Sequence, residues 1–353
     1  MDQSELFQNV VQLLKQLIAT PSFSGQEDGT ASLIAEWLRD HGIQSKRNKN
    51  NVWAVNKDFD PDKPSILLNS HHDTVWPSKA YTRDPFQAQE ENGKLFGIGS
   101  NDAGGALVSL LGAFICFYEQ PAMKYNLVIA ATAEEENSGP NGLNSILGDL
   151  PPLELALVGE PTAMDMAIAE KGPLVIDAVA PGKTGHAAHE NSENAIYNAI
   201  NDISWIRNFR FPKESSVLGP VKMTVTQIAA GQQHNVIPAH CDFVIDVRVN
   251  EHYSNEEVFG IIDQNTRSAL TPRSFRLNSS HIALTHPIVQ AGIALGRKTY
   301  GSPTLSDQAV LSCPSVKIGP GDSRRSHQAD EFICLHEIEE GIGIYINMLK
   351  QIL

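Results

Sequence analysis

Cysteine is scarce in this sequence and falls in no paired spacing. Its 353 residues include four, Cys116, Cys241, Cys313 and Cys334, and no two form a C-x-x-C pair. A chain this long buries enough core to stand without disulfide staples, so the four read as reduced thiols. Positive charge is also short. The 27 Lys and Arg against 41 Asp and Glu leave a net charge of −14 and a pI near 5.3. Nucleic-acid binders carry a basic face, and anionic membranes attract basic segments, so neither is expected as a main partner. Long apolar runs are missing too. The most apolar stretch, 106–118, falls short of the roughly 20 residues that a bilayer-spanning helix needs. The opening MDQSELFQNV is acidic and polar, not a basic start followed by an apolar block. A cytoplasmic protein is expected. Internal repeats and low-complexity tracts are absent.

What is present is an ordinary globular balance, 41% hydrophobic and 19% charged, in a chain long enough for two domains. Leu6, Val10, Leu13, Leu14 and Leu17 recur at helical spacing until Thr20-Pro21 breaks the ladder. A second helix is expected over 27–41. Short apolar runs follow at 65–69, 126–132, 154–158 and 315–318. Helical stretches at 102–118, 141–147 and 287–300 lie between them, and an amphipathic helix closes the chain from 336 to 353. This alternation predicts an α/β fold with a mostly parallel sheet.

The middle reads differently. Strands are expected at 174–180, 221–230, 240–249 and 274–284, with helices at 191–209 and 255–270. That order is the ferredoxin-like β-α-β-β-α-β unit. The expected organisation is a main domain of 1–173 plus 285–353, with 174–284 inserted as a ferredoxin-like α+β domain.

The ends of the apolar runs carry the chemistry. SILLN leads into Ser70-His71-His72-Asp73, NLVIAAT into Ala133-Glu134-Glu135-Glu136, and ELALV into Gly159-Glu160. SVKI leads into Gly319-Pro320-Gly321, with His327 in the loop beyond. Ligands of open α/β sheets bind outside the carboxyl ends of strands, and histidine with carboxylate is a zinc-type ligand set. One loop His or Glu is usually just solvated; here the joint pattern carries the argument. Asp102 stands before an apolar helix, where it is either a helix cap or a carboxylate shared by two ions.

With these residues in place, the chain resembles the acetylornithine deacetylase, succinyl-diaminopimelate desuccinylase and aminoacylase hydrolases. The resemblance runs along nearly the whole length. It rests on SHHDTV at 70–75, GIGSNDAGG at 97–105, ATAEEE at 131–136, VGEPT at 158–162, GKTGHAAHE at 182–190, HNVIP at 234–238 and GPGDSRRSHQADEF at 319–332. It implies a zinc-hydrolase catalytic domain, with the inserted domain serving as lid and dimerisation module. It also implies two divalent metal ions, zinc with cobalt or manganese as substitutes. His71, Asp102 and Glu160 would hold one ion, and Asp102, Glu136 and His327 the other. Asp73 would orient the His71 ring, leaving His72 a bystander, and Glu135 would be the general base. The triple glutamate leaves a second register open, with Glu134 as base and Glu135 as ligand. The family often has Arg and Lys where this chain has Ile98 and Gly104, which changes the surroundings of Asp102 but no ligand.

The resemblance further implies that His186 donates to the oxyanion, reaching the neighbouring subunit in dimeric relatives, so a homodimer is expected. Arg248 and Asn235 would bind the substrate carboxylate, with Lys171 and Gly321 as weaker candidates. Arg324 and Arg325 precede His327 in an acidic chain, and one of them is expected to read a second carboxylate such as a succinyl group. The expected activity is hydrolysis of an N-acyl amino acid, acetyl- or succinyl-ornithine or citrulline, in arginine biosynthesis. Succinyl-diaminopimelate desuccinylase and a dipeptidase or carboxypeptidase are the alternatives with the same chemistry. A non-catalytic metal-stabilised protein is the alternative of another class, although it has no need of Glu135.

Overall fold

The computed structural model describes residues 3–190 and 193–353. The chain divides into two compact units. One comprises Met1–Ile168, His281–Tyr300 and Ser306–Leu353; the other comprises Ala169–Ser280 with Gly301–Leu305.

The first unit is built on a sheet that is parallel at its centre. Asn126–Thr132 pairs in parallel with Ser65–His71, which pairs in parallel with Leu153–Val158, which pairs in parallel with Ser315–Lys317. Asn51–Val55 flanks them antiparallel. Every residue of Ser65–His71 and Asn126–Thr132 is buried. Strands covered on both faces read as continuous apolar runs, which is why they stood out in the sequence. The helix Gly105–Tyr118 is apolar on nearly all sides and packs against the first helix, Gln3–Ile18, and the last, Leu335–Lys350. By length and composition the run 100–118 matches a membrane span, yet 83% of it is buried inside the fold. It is a core helix.

The second unit is a four-stranded antiparallel sheet in the spatial order Lys222–Ala230, His240–Val249, Gly172–Pro181, Ala269–Pro272. Helices Ala195–Asn208 and Asn255–Asn265 cover one face. Leu174, Ile176, Phe243, Ile245 and Val247 alternate inward to meet Ala199, Ile206, Val258 and Ile262. The chain order is strand, helix, strand, strand, helix, strand, the ferredoxin-like arrangement. Asn194 caps the first helix by accepting from the Ile196 amide, and Ser254 with Glu257 forms a capping box on the second.

Several expected elements are shifted. The helix expected from 102 begins only at Gly105. Asp102 sits in a π-type turn, Ser100–Gly104, with φ −120° and ψ 98°, so it caps no helix. The stretch 141–147 forms only a 3₁₀ turn, Leu143–Ser145. The helix from Pro287 stops at Ala294, because Gly296 adopts φ 79° and the Arg297 amide closes back on the Gly292 carbonyl. The strand expected at 274–284 instead lies at Ala269–Pro272, after which the Arg273 amide still donates to the Val175 carbonyl, and only the two-residue strand Ser280–His281 falls within the expected bounds. The helix expected over 255–270 ends at Asn265. That expected over 191–209 spans Ala195–Asn208, and Asn191 and Ser192 lie outside the described residues.

Candidate metal centre

The site of the first unit assembles at the carboxyl ends of its parallel strands. Ser65–His71 delivers His71 as its last residue, and its neighbour Asn126–Thr132 leads into Glu135 and Glu136. The His71 ring is buried, and its Nδ1 hydrogen-bonds the Asp73 backbone carbonyl at 3.0 Å. With Nδ1 donating, Nε2 carries a lone pair. That atom has no hydrogen-bond partner. It faces Asp102 Oδ1 at 3.3 Å, Glu160 Oε1 at 3.8 Å and Glu135 Oε2 at 4.0 Å.

The other oxygen of Asp102, Oδ2, lies 3.7 Å from His327 Nε2, which contacts Glu136 Oε2 at 2.9 Å. Asp102 thus shows one oxygen to each histidine, as a shared ligand must. Among the described residues, two groups have ligand atoms mutually within 4.8 Å: His71, Asp102 and Glu136, and His71, Glu135 and Glu160.

Asp73 works as a bracket. Its carboxylate accepts from Ser24 Oγ at 2.7 Å and from the Glu135 and Glu136 amides at 3.1 and 3.2 Å, and it lies 3.4 Å from His71 Nδ1. It therefore ties the histidine-bearing strand to the glutamate-bearing loop. The three glutamates of the triplet face different partners. Glu134 turns away, with φ 53°, and accepts from the Asn141 backbone and side-chain amides. Glu135 faces His71 and Glu136 faces His327. His72 is held by Thr30 Oγ1 and the Asn50 carbonyl, and burial lowers its pKa to about 4.

The electrostatics call for cations. Burial, with Asp102 close by, raises Glu160 to about 8, and burial with Glu160 pushes Glu135 well above the usual carboxylate range. Glu136 is raised by burial too. Burial alone would discharge the His71 ring, yet the Asp102 and Asp73 carboxylates beside it hold its pKa well above normal. Crowded, desolvated carboxylates stay ionised only beside positive charge. A partnerless buried imidazole nitrogen among them fits a pair of divalent ions, and the histidine-carboxylate set suits zinc chemistry.

Three supporting residues were missed by the sequence reading. Glu331 accepts from the backbone amides of Gly99, Asn101 and Asp102 at 3.1, 2.8 and 2.9 Å, which shapes the turn that presents Asp102. Its only sequence signal was its place four residues after His327. Asp307 is buried, accepts from Thr132 Oγ1 at 2.7 Å and is raised to about 6 by burial. Glu27 accepts from the Glu134 amide at 3.2 Å. Nothing local in the sequence marks either.

The remaining candidates are placed as follows. In the second unit, the short strand Gly185–His186 pairs with Val236–Ile237, and the Ala187 amide donates to the Asn235 carbonyl at 3.0 Å. The His186 and Asn235 motifs are therefore neighbours. Arg248 is paired with Asp246, two contacts at 2.9 Å, and Lys171 Nζ donates to the Pro220 carbonyl at 2.8 Å. In the first unit, Gly321 has φ 92° and its carbonyl accepts from the Ala163 amide. Arg324 and Arg325 are both paired with carboxylates of the chain. Arg324 is clamped on Asp322. Arg325 reaches Glu337 at 2.7 and 3.1 Å and lies over the Phe332 ring. Arg324 stays largely exposed, whereas the Arg325 guanidinium is mostly covered.

Residues 67–351 match the pattern of peptidase family M20/M25/M40. The chain belongs to that family. It is accordingly a metal-dependent hydrolase in class. The chain is 27% identical to an acetylornithine deacetylase of Erwinia tasmaniensis, covering 92% of this chain and 93% of that one. Among solved M20 structures, the YXEP protein of Bacillus subtilis, described as a dinuclear metal binding peptidase, superposes with a TM-score of 0.73. It shares 18% identity, with 99% of each chain covered. An M20 metallo-carboxypeptidase of Sulfolobus solfataricus gives 0.71 at 15% identity, covering 97% of this chain and 98% of that one. Those two show the shared M20 fold.

Proposed function

We propose that this M20 enzyme hydrolyses the amide bond of an N-acyl amino acid, of the acetyl- or succinyl-ornithine or citrulline kind used in arginine biosynthesis. The observation that carries the reading is the partnerless His71 Nε2 ringed by Asp102, Glu160 and Glu135. The match along the Erwinia deacetylase supports the substrate class. His71, Asp102, Glu136, Glu160 and His327 would hold two ions, zinc by ligand type, with cobalt or manganese able to substitute. When bound, the ions would supply Lewis acidity, lowering the pKa of water so that it can give up a proton and polarising the scissile carbonyl.

The chain's own groups do the rest. Glu135, fixed by the Asp73 bracket, takes the water proton on a carboxylate oxygen and returns it to the leaving nitrogen. His186 donates a hydrogen bond to the developing oxyanion. Arg248 and Asn235 bind the free carboxylate, which the planar guanidinium suits. The protein works in the cytoplasm as a homodimer. Support for the dimer is the open edge strand Lys222–Ala230, with Ile228 56% exposed, and the helix carrying Tyr197 at 65% and Ile200 at 49%.

The test is turnover of N-acetyl- and N-succinyl-ornithine, citrulline and diaminopimelate plus a dipeptide panel, with metal content measured before and after chelator. Release of free amino acid from an N-acyl substrate, lost with the metal, is expected. Turnover of dipeptides alone, or none by metal-loaded protein, overturns the reading. Light scattering checks the dimer.

A further inference from the structure

The second unit contains a cavity of about 360 Å³ whose lining includes Lys171, Lys222 and Arg248. Lys222 and Arg248 are directly opposed partners in an antiparallel ladder, so their side chains share one face. That face is the outer one: Val247 and Val249, the neighbours of Arg248, point into the core. Like charges directly opposite each other weaken a sheet, so folding gives no reason for this pairing. Lys171 adds a third cation. Its pKa is lowered by burial and by the charge of Lys222, which places the two ammonium groups in each other's field. Two carboxylates lie nearby. Asp246 takes one edge of Arg248. Glu251 acts on Lys171 only at a distance, and one of its oxygens is bonded by Ser215 Oγ. Neither lines the cavity.

We infer that this cavity is a binding pocket for a small dianion, with Lys171 and Lys222 supplying the charge that Arg248, paired with Asp246, does not. The inference deepens the role given above to Arg248. With Arg248 paired to Asp246, the two lysines leave two positive charges, which call for a ligand with two negative charges, a dicarboxylate or an inorganic oxyanion. Ammonium groups are point charges that accept either geometry.

The test is titration calorimetry of the metal-loaded full chain with succinate, inorganic phosphate and acetate, repeated on Lys222→Gln and Lys171→Gln. Succinate or phosphate is expected to bind at least tenfold more tightly than acetate, and each substitution to weaken that binding about tenfold. The stronger of the two dianions identifies the source. Acetate binding as tightly as the dianions, or dianion binding indifferent to both lysines, overturns the inference. A second measurement needs no variant. Acylation of Lys171 by an amine reagent, read by mass spectrometry, slows when the pocket fills, and an unchanged rate at saturating dianion counts against it. Neither assay uses turnover, so failure here and failure of the amide-hydrolysis reading are separate results.

Discussion

Glu135 owes its place to two backbone facts. Its amide is bonded by Asp73, and the preceding residue, Glu134, turns away into the Asn141 amides. Glu135→Gln keeps the shape and removes the proton acceptor. Its kcat should fall by roughly 10²–10⁴-fold, the usual worth of a general base, with metal content by emission spectroscopy unchanged. Loss of metal along with activity would make Glu135 a ligand instead. His72 supports a prediction about pH. It is buried and lowered from 6.5 to about 4, so the folded state refuses a proton that the unfolded chain accepts below 6.5. Stability should therefore fall as pH drops through that window and level off below it, with His72 contributing about 3 kcal/mol of the loss. His72→Gln can still donate to the Asn50 carbonyl, and denaturant midpoints across pH should show a shallower decline. An identical slope would assign the acid loss to other groups.

At the scale of elements, the turn Ser100–Gly104 matters most, because it sets Asp102 between His71 and His327. Gly99 opens it with φ 71°, and a Cβ there would sit 2.5 Å from Thr74 Cγ2. Gly99→Ala should cost about 1–3 kcal/mol, a left-handed backbone with a clash. It should also weaken metal retention, since the same turn carries Asp102; an equilibrium melt and a dialysis assay read the two effects. Ser254 is a simpler case. Its side chain caps the Glu257 amide, so Ser254→Ala should destabilise the second unit by about 1 kcal/mol in denaturant unfolding. It should leave the metal content alone. The element readings differed in how well the sequence supported them. Buried parallel strands announce themselves as apolar runs, and 126–132 lies where its run places it; the alternation at 240–249 likewise matches a half-buried antiparallel strand. The sequence places the start of the helix at Asp102, whereas it begins at Gly105. The backbone leaves the helix only where Glu331, some 230 residues on, captures its amides.

At the scale of the whole molecule, all the proposed metal ligands, His71, Asp102, Glu136, Glu160 and His327, belong to the first unit. Ligands that bind only the folded state stabilise it by mass action, about 4 kcal/mol at a thousandfold excess over Kd. Chelation should lower the melting step of that unit and leave the step of the second unit in place. A single transition that moves as one would show that the two units unfold together. Removing the ions also leaves Glu135, Glu136 and Glu160 crowded. The metal-free protein should therefore take up protons near neutral pH, which potentiometric titration before and after chelation measures.

The sequence by itself determined the class of fold, the kinds of ligand and the segments that carry them. Periodicity and strand-end composition are local properties, and a run such as SILLN followed by SHHD is complete within a few residues. Tertiary structure alone decided which glutamate of the triplet faces the site and which oxygen of Asp102 faces which histidine. It also decided that Arg325 serves Glu337, and that Lys222 stands opposite Arg248. Each of these depends on pairing between segments far apart in the chain. Strand register and turn geometry choose such pairings, and no single segment records them.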